Sequence, residues 1–109
     1  MNQKMVAMSS VIELSERIAK EFDPEKIILF GSYAYGTPKE YSDVDLLVLM
    51  PFEGNSFDQA TIILESARPG YYVDVIVRSP DDAARRYQGF DPLIRDAFDR
   101  GTVLYARTG

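Results

Sequence analysis

Apolar and polar positions alternate along this chain in two periods, and the switches between them predict eight elements. Val11, Leu14, Ile18 and Phe22 recur at helical intervals behind Ser10-Val11-Ile12-Glu13, which has the spacing of a capping box, so a helix is predicted over about 11 to 22. Asp23-Pro24 stops it, and Lys26 to Phe30 is a short apolar run ending at Gly31, read as a buried strand. Gly31-Ser32 begins a turn, and Tyr33 to Gly36 fits one short helical turn before the loop that contains Pro38. Ser42 to Met50 is the next strand. With a period of two, Asp43, Asp45, Leu47 and Leu49 share one face, and Val44, Leu46, Val48 and Met50 the other. Both faces are apolar beyond the carboxylates, the pattern of a central strand covered on both sides.

After a loop over 51 to 55, Ser56 or Asp58 can cap a helix running to about Arg68, with Ala60, Ile63, Leu64 and Ala67 as its inner stripe. Pro69-Gly70 turns the chain into a strand from Tyr71 to Val77, in which Tyr72, Asp74 and Ile76 share one face and Tyr71, Val73, Val75 and Val77 the other. Ser79-Pro80-Asp81-Asp82 has an N-cap serine, proline at the first helical position and acids in the first turn, opening a helix to about Gln88. Asp91-Pro92 repeats the device for a helix that Gly101 closes after Arg100, and Thr102 to Ala106 is a last strand at the edge of the sheet. Alternation of helices with strands predicts a small α/β or α+β fold, a mixed sheet with helices packed on it.

Composition narrows the chemistry. At 109 residues, with 46% hydrophobic and 27% charged, the whole of 1–109 is expected to be a single soluble domain. There are no cysteines and no histidines, so disulfides, the usual zinc sites, and Cys or His nucleophiles and bases are excluded. Seventeen acidic against 12 basic residues give a net charge of -5 with no long Lys/Arg block, which argues against an open nucleic-acid surface, local clusters such as Arg85 and Arg86 aside. No apolar run approaches the roughly 20 residues of a membrane span, and a cytoplasmic location is expected.

What remains is carboxylate and phosphate chemistry. Asp43 and Asp45 stand where a plain core strand would carry apolar residues, and Asp74 repeats this on a second strand. Like charges so placed are costly unless a cation sits between them. All-oxygen donors of this kind suit magnesium, and two ions roughly 4 Å apart are the device of two-metal phosphoryl transfer. Gly31-Ser32 supplies a turn whose backbone can approach a phosphate closely, with amides and a hydroxyl to donate to it. The turn lacks the lysine and spacing of a Walker A loop, and Lys39 is the one lysine near it. Taken singly, each feature has a plainer reading: the Asp-Val-Asp pair as an edge or turn feature, Gly-Ser as a turn, Asp74 as a loop cap or a partner for Arg78.

The combination of Gly31-Ser32, ten intervening residues, Asp43-Val44-Asp45 and a later Asp74 resembles the minimal nucleotidyltransferase family of the DNA polymerase beta-like superfamily. The string GSYAYGTPKEYSDVDLLV, with Gly36 and Ser42, and the ending DRGTVLYAR are similar to that family over nearly the whole chain. The resemblance implies a polymerase beta palm-like fold. It also implies transfer of a nucleoside monophosphate from a triphosphate to a hydroxyl, with Gly31 and Ser32 binding the ATP phosphates. Asp43, Asp45 and Asp74 would then serve as catalytic acids and magnesium ligands. It implies further a HEPN-domain toxin as partner, adenylylated on a tyrosine by this chain as its antitoxin. A non-enzymatic antitoxin or assembly subunit that works by covering its partner, and a small-molecule nucleotidyltransferase, are the alternatives. Homo-oligomer and hetero-oligomer both stay open.

Some residues carry two readings. Tyr33 and Tyr35 flank the phosphate turn and either stack on a base or pack the turn, Tyr71 and Tyr72 cover a sheet surface or an interface, and Tyr41 anchors the loop before Asp43. Arg85, Arg86 and Arg95 either meet a nucleotide phosphate or lie on solvated helix faces.

Overall fold

The computed structural model describes residues 5–38 and 43–108; Lys39, Tyr41 and Ser42 lie outside the described residues. In chain order the elements are α1 (Met8–Phe22), β1 (Lys26–Phe30), β2 (Val44–Leu49), α2 (Ser56–Ala67), β3 (Val73–Arg78), α3 (Pro80–Gln88), α4 (Pro92–Arg100) and β4 (Thr102–Ala106). The strands form one mixed sheet in the order β3-β2-β1-β4, with β1 antiparallel to both β2 and β4 and β2 parallel to β3. Helix α2 makes the crossover that a parallel pair requires.

The alternation along β2 sorts the core into two layers. Val44, Leu46 and Val48 point into a cluster with Val11, Leu14 and Ile18 of α1 and Ala60, Ile63 and Ala67 of α2. Leu47 and Leu49 point the other way, to Ala83 of α3 and to Ile94 and Ala97 of α4. The strand is therefore central and covered on both faces, as its apolar run requires. At the junction of α4 and β4 the chain passes so close to β1 that a Cβ on Gly101 would lie 2.3 Å from the Ala97 carbonyl oxygen and 2.6 Å from Cγ2 of Ile28. β4 closes one edge of the sheet at the expected place.

Several boundaries differ from the sequence expectation. Helix α1 begins at Met8, with extended Ala7 at the N-cap and no side-chain cap. Ser10 is already inside the helix, its amide bonded to the Ala7 carbonyl at 2.9 Å, so the Ser10–Glu13 capping box does not form. Helix α2 is capped by Asn55, whose side chain accepts from the Asp58 amide at 2.8 Å, and not by Ser56 or Asp58. Arg68 lies beyond its end in the left-handed conformation. β3 starts at Val73 because Tyr71 belongs to the preceding turn, its hydroxyl donating to the Ser10 carbonyl, and it runs one residue further, to Arg78.

Candidate active site at the end of the sheet

The register of β2 carries the site. Asp45 is paired across the sheet with Phe30 on one side and with Asp74 on the other. Phe30 is the last residue of β1, so the turn that starts at Gly31 stands directly beside Asp45. Two of the three acids thus share one rung of the sheet, and Asp43 precedes β2 at the same end, exposed.

Gly31 adopts φ +76, and a Cβ built on it would fall 2.3 Å from Oδ2 of Asp45. Only glycine satisfies both the left-handed conformation and the approach. The carbonyl of Gly31 accepts from the amides of Ala34 and Tyr35, at 3.0 and 3.2 Å, and Ser32 accepts from Thr37 at 3.0 Å. These bonds make Tyr33 to Gly36 the single turn the sequence suggests.

Both tyrosines of the turn are used in packing. Tyr33 is buried, and its hydroxyl accepts from the Val6 amide at 2.8 Å. The hydroxyl of Tyr35 donates to Oδ2 of Asp96, and the Arg100 guanidinium lies over its ring, 3.9 Å from the centroid, while also reaching Asp96 at 3.4 Å. Asp96 and Arg100 therefore anchor the turn beside the candidate site, a role the sequence reading did not assign them. They lie 61 and 65 positions beyond Tyr35, and their spacing on α4 is that of an ordinary i,i+4 surface pair.

Electrostatically the site is acidic. Burial, then the charge of Asp74, then that of Asp43 push the Asp45 carboxyl up to about 6. Among the described residues no ion pair involves Asp43, Asp45 or Asp74. Arg78 does not pair with Asp74; its Nη1 donates to Ser56 Oγ and to the Val77 carbonyl. Arg85 and Arg86 are engaged with Asp82, and Arg86 also with Asp91. Arg95 stacks over the rings of Tyr87 and Phe90. These three arginines thus serve the α3–α4 region.

As the side chains stand, no three acidic groups among the described residues form a ready-made metal cage. The donor set nevertheless suits a hard divalent cation: the candidate ligands are all carboxylate oxygens, and Asp45 carries a charge that two neighbouring acids disfavour and a cation would relieve.

A family model for the nucleotidyltransferase domain matches residues 11–104, which contain every element of this site. The chain belongs to the nucleotidyltransferase domain family. It is 46% identical, over 98% of its own length and 76% of the other's, to a candidate protein adenylyltransferase of Methanocaldococcus jannaschii. Among solved structures, a nucleotidyltransferase candidate from Sulfolobus solfataricus is 25% identical with a TM-score of 0.61, covering 92% of this chain and 80% of that one. A toxin-antitoxin solved with AMP-PNP has a TM-score of 0.58 at 21% identity, covering 94% and 76%, and the toxin-antitoxin MntA-HpeT has the same score at 18%. These two carry the fold alone. The mixed α/β sheet of the nucleotidyltransferases and the resemblance read from Gly31 to Leu49 are both borne out.

Proposed function

We propose that this nucleotidyltransferase moves AMP from ATP to a hydroxyl on a partner protein, a tyrosine of a HEPN-domain toxin, and acts as that toxin's antitoxin. The observation that carries the reading is the rung Phe30–Asp45–Asp74, which brings the Gly31 turn and two acids to one end of the sheet. The protein acceptor is supported by the similarity to a candidate protein adenylyltransferase, and the toxin partner by the likeness to toxin-antitoxin structures.

In this reading the turn and its Ser32 hydroxyl hold the triphosphate, and Gly31, lacking a side chain, lets the turn sit directly against Asp45. Asp43, Asp45 and Asp74 would hold magnesium, which when bound would neutralise phosphate charge and make the attacking hydroxyl more acidic. The acceptor oxygen bonds to the α-phosphorus as the bond from that phosphorus to the bridging oxygen of the β-phosphate breaks. Pyrophosphate leaves with the electron pair, and Asp74 takes the hydroxyl proton. Asp74 is suited to this role because it is the exposed member of the rung.

The test is mass spectrometry of the product of the adjoining gene after incubation with this chain, ATP and magnesium. One added AMP on a tyrosine, absent with Asp43→Asn, is the expected result. An unmodified partner, or modification that survives the substitution, contradicts the reading.

A further inference from the structure

β3 pairs with β2 along one side only and ends the sheet on the other. The carbonyls of Tyr72 and Arg78 accept from the amides of Val44 in β2 and of Met50 just beyond it. The alternation of a parallel ladder then turns the main-chain groups of Val73, Val75 and Val77 outward. Val77 is covered by its neighbour, because its carbonyl accepts from Arg78 Nη1 at 2.8 Å. Val75 faces a groove of about 270 Å³, and Val73 precedes it by two residues on the same edge. Phe57 and Ala60 of α2 line one wall of the groove, and Asp74, Ile76 and Arg78 line the other.

Three features of the groove are unusual for an edge with no occupant. Phe57 is 84% exposed at its wall, a large apolar ring in water. Nε of Arg78 is buried at its far end without a hydrogen-bond partner. At its near end stand Asp74 and, across the rung, Asp45, with no basic side chain paired to either among the described residues. An extended segment with a basic residue meets all three demands, giving apolar contact to Phe57, an acceptor to Arg78 and a positive charge to the acidic end, with ladder bonds to Val73 and Val75 besides.

We propose that the outer edge of β3 is the acceptor platform: an extended segment of a partner protein lies in the Phe57–Arg78 groove as an added strand and presents its hydroxyl at Asp74, with basic residues beside it. The occupant's charge follows from the groove's acidic end, to which a bound triphosphate adds further negative charge. A second copy of this chain fits poorly, since it brings 17 acidic against 12 basic residues to that same end. The proposal rests on the transfer reading for the role of Asp74, but the groove itself can be tested apart from it.

Phe57→Asp is the variant of choice, because the exposed ring leaves the fold unaffected. With the purified product of the adjoining gene as acceptor, its KM rises about tenfold or more while kcat at saturation and the thermal shift given by an ATP analogue with magnesium stay unchanged. An unchanged KM overturns the proposal. Should the wild type transfer nothing, equilibrium titration of the same two proteins decides: about tenfold weaker binding by Phe57→Asp upholds the platform, and equal binding overturns it. A photo-crosslinking side chain at position 57 reports the occupant. Crosslinks to a tyrosine-bearing segment of the partner uphold the proposal, and crosslinks to a second copy of this chain refute it.

Discussion

Gly31 and Asp45 approach so closely that a single methyl group on the glycine would lie 2.3 Å from a carboxylate oxygen. Gly36, in the same turn, has nearly the same backbone angle, φ +75, but nothing within 4 Å of the place its Cβ would take. The two positions separate strain from overlap. Gly36→Ala is expected to lose only the left-handed penalty, about 1 kcal/mol, whereas Gly31→Ala loses that and about 1–3 kcal/mol more. Urea denaturation of both variants checks this. Transfer activity should fall only for Gly31→Ala; equal losses in the two would mean that the contact with Asp45 does not matter.

The same carboxylate makes stability depend on pH. Asp45 titrates near 3.8 in the unfolded chain and about 6 in the fold, so between those values the folded state holds the proton more tightly. Stability is then greatest at low pH with respect to this group, and falls as pH rises through that window. The full shift is worth about 3 kcal/mol, and partial exposure of the side chain reduces this to about 1–2 kcal/mol. Asp45→Asn should match the wild type near pH 4 and exceed it by that amount at about pH 7.5. Saturating magnesium at the higher pH should stabilise the wild type more than the variant. An Asn variant no more stable at about pH 7.5 would remove the electrostatic argument for the cation.

Tyr35 links the turn that starts at Gly31 to α4 through Asp96 and Arg100. Tyr35→Phe keeps the ring under the arginine and removes the hydroxyl; Asp96→Asn keeps the shape and removes the charge. Each should lower stability by about 0.5–1.5 kcal/mol, and the double variant by less than the sum, because the two share one bond. The KM for ATP should rise in both, with the KM for the acceptor unchanged. Additive losses would show that the pair does not act as a unit.

Helix termini separate what the sequence displays from what it hides. Ser79 and Asp91 cap α3 and α4 where Ser-Pro and Asp-Pro announce them, because proline fixes both the start and the first turn. The Ser10–Glu13 signature is just as clear, yet α1 starts at Met8 without a cap, since packing of the apolar stripe from Val11 onward does not depend on where the first turn begins. Asn55 was hidden among two other good capping residues. Accordingly Asn55→Ala should cost about 1 kcal/mol, and Ser10→Ala less than about 0.5, measured by thermal unfolding. The faces of β2 and β3 were legible because a period of two leaves no freedom, and with them the placing of Asp45 and Asp74 against the apolar pattern of their strands. The rung that joins Asp45 to Asp74, the Asp96–Arg100 clamp and the Phe57–Arg78 groove were not, because each depends on a register or contact between segments far apart in sequence.

Nucleotidyl transfer is tested most directly by the position of the label. The chain is incubated with magnesium, the product of the adjoining gene and ATP labelled either at the α- or at the γ-phosphate. The α-label is expected to enter the partner and the γ-label to leave entirely as pyrophosphate, and Asp45→Asn and Asp74→Asn are expected to abolish the incorporation. Incorporation of the γ-label, or α-label incorporation undiminished in both variants, would contradict nucleotidyl transfer at this site.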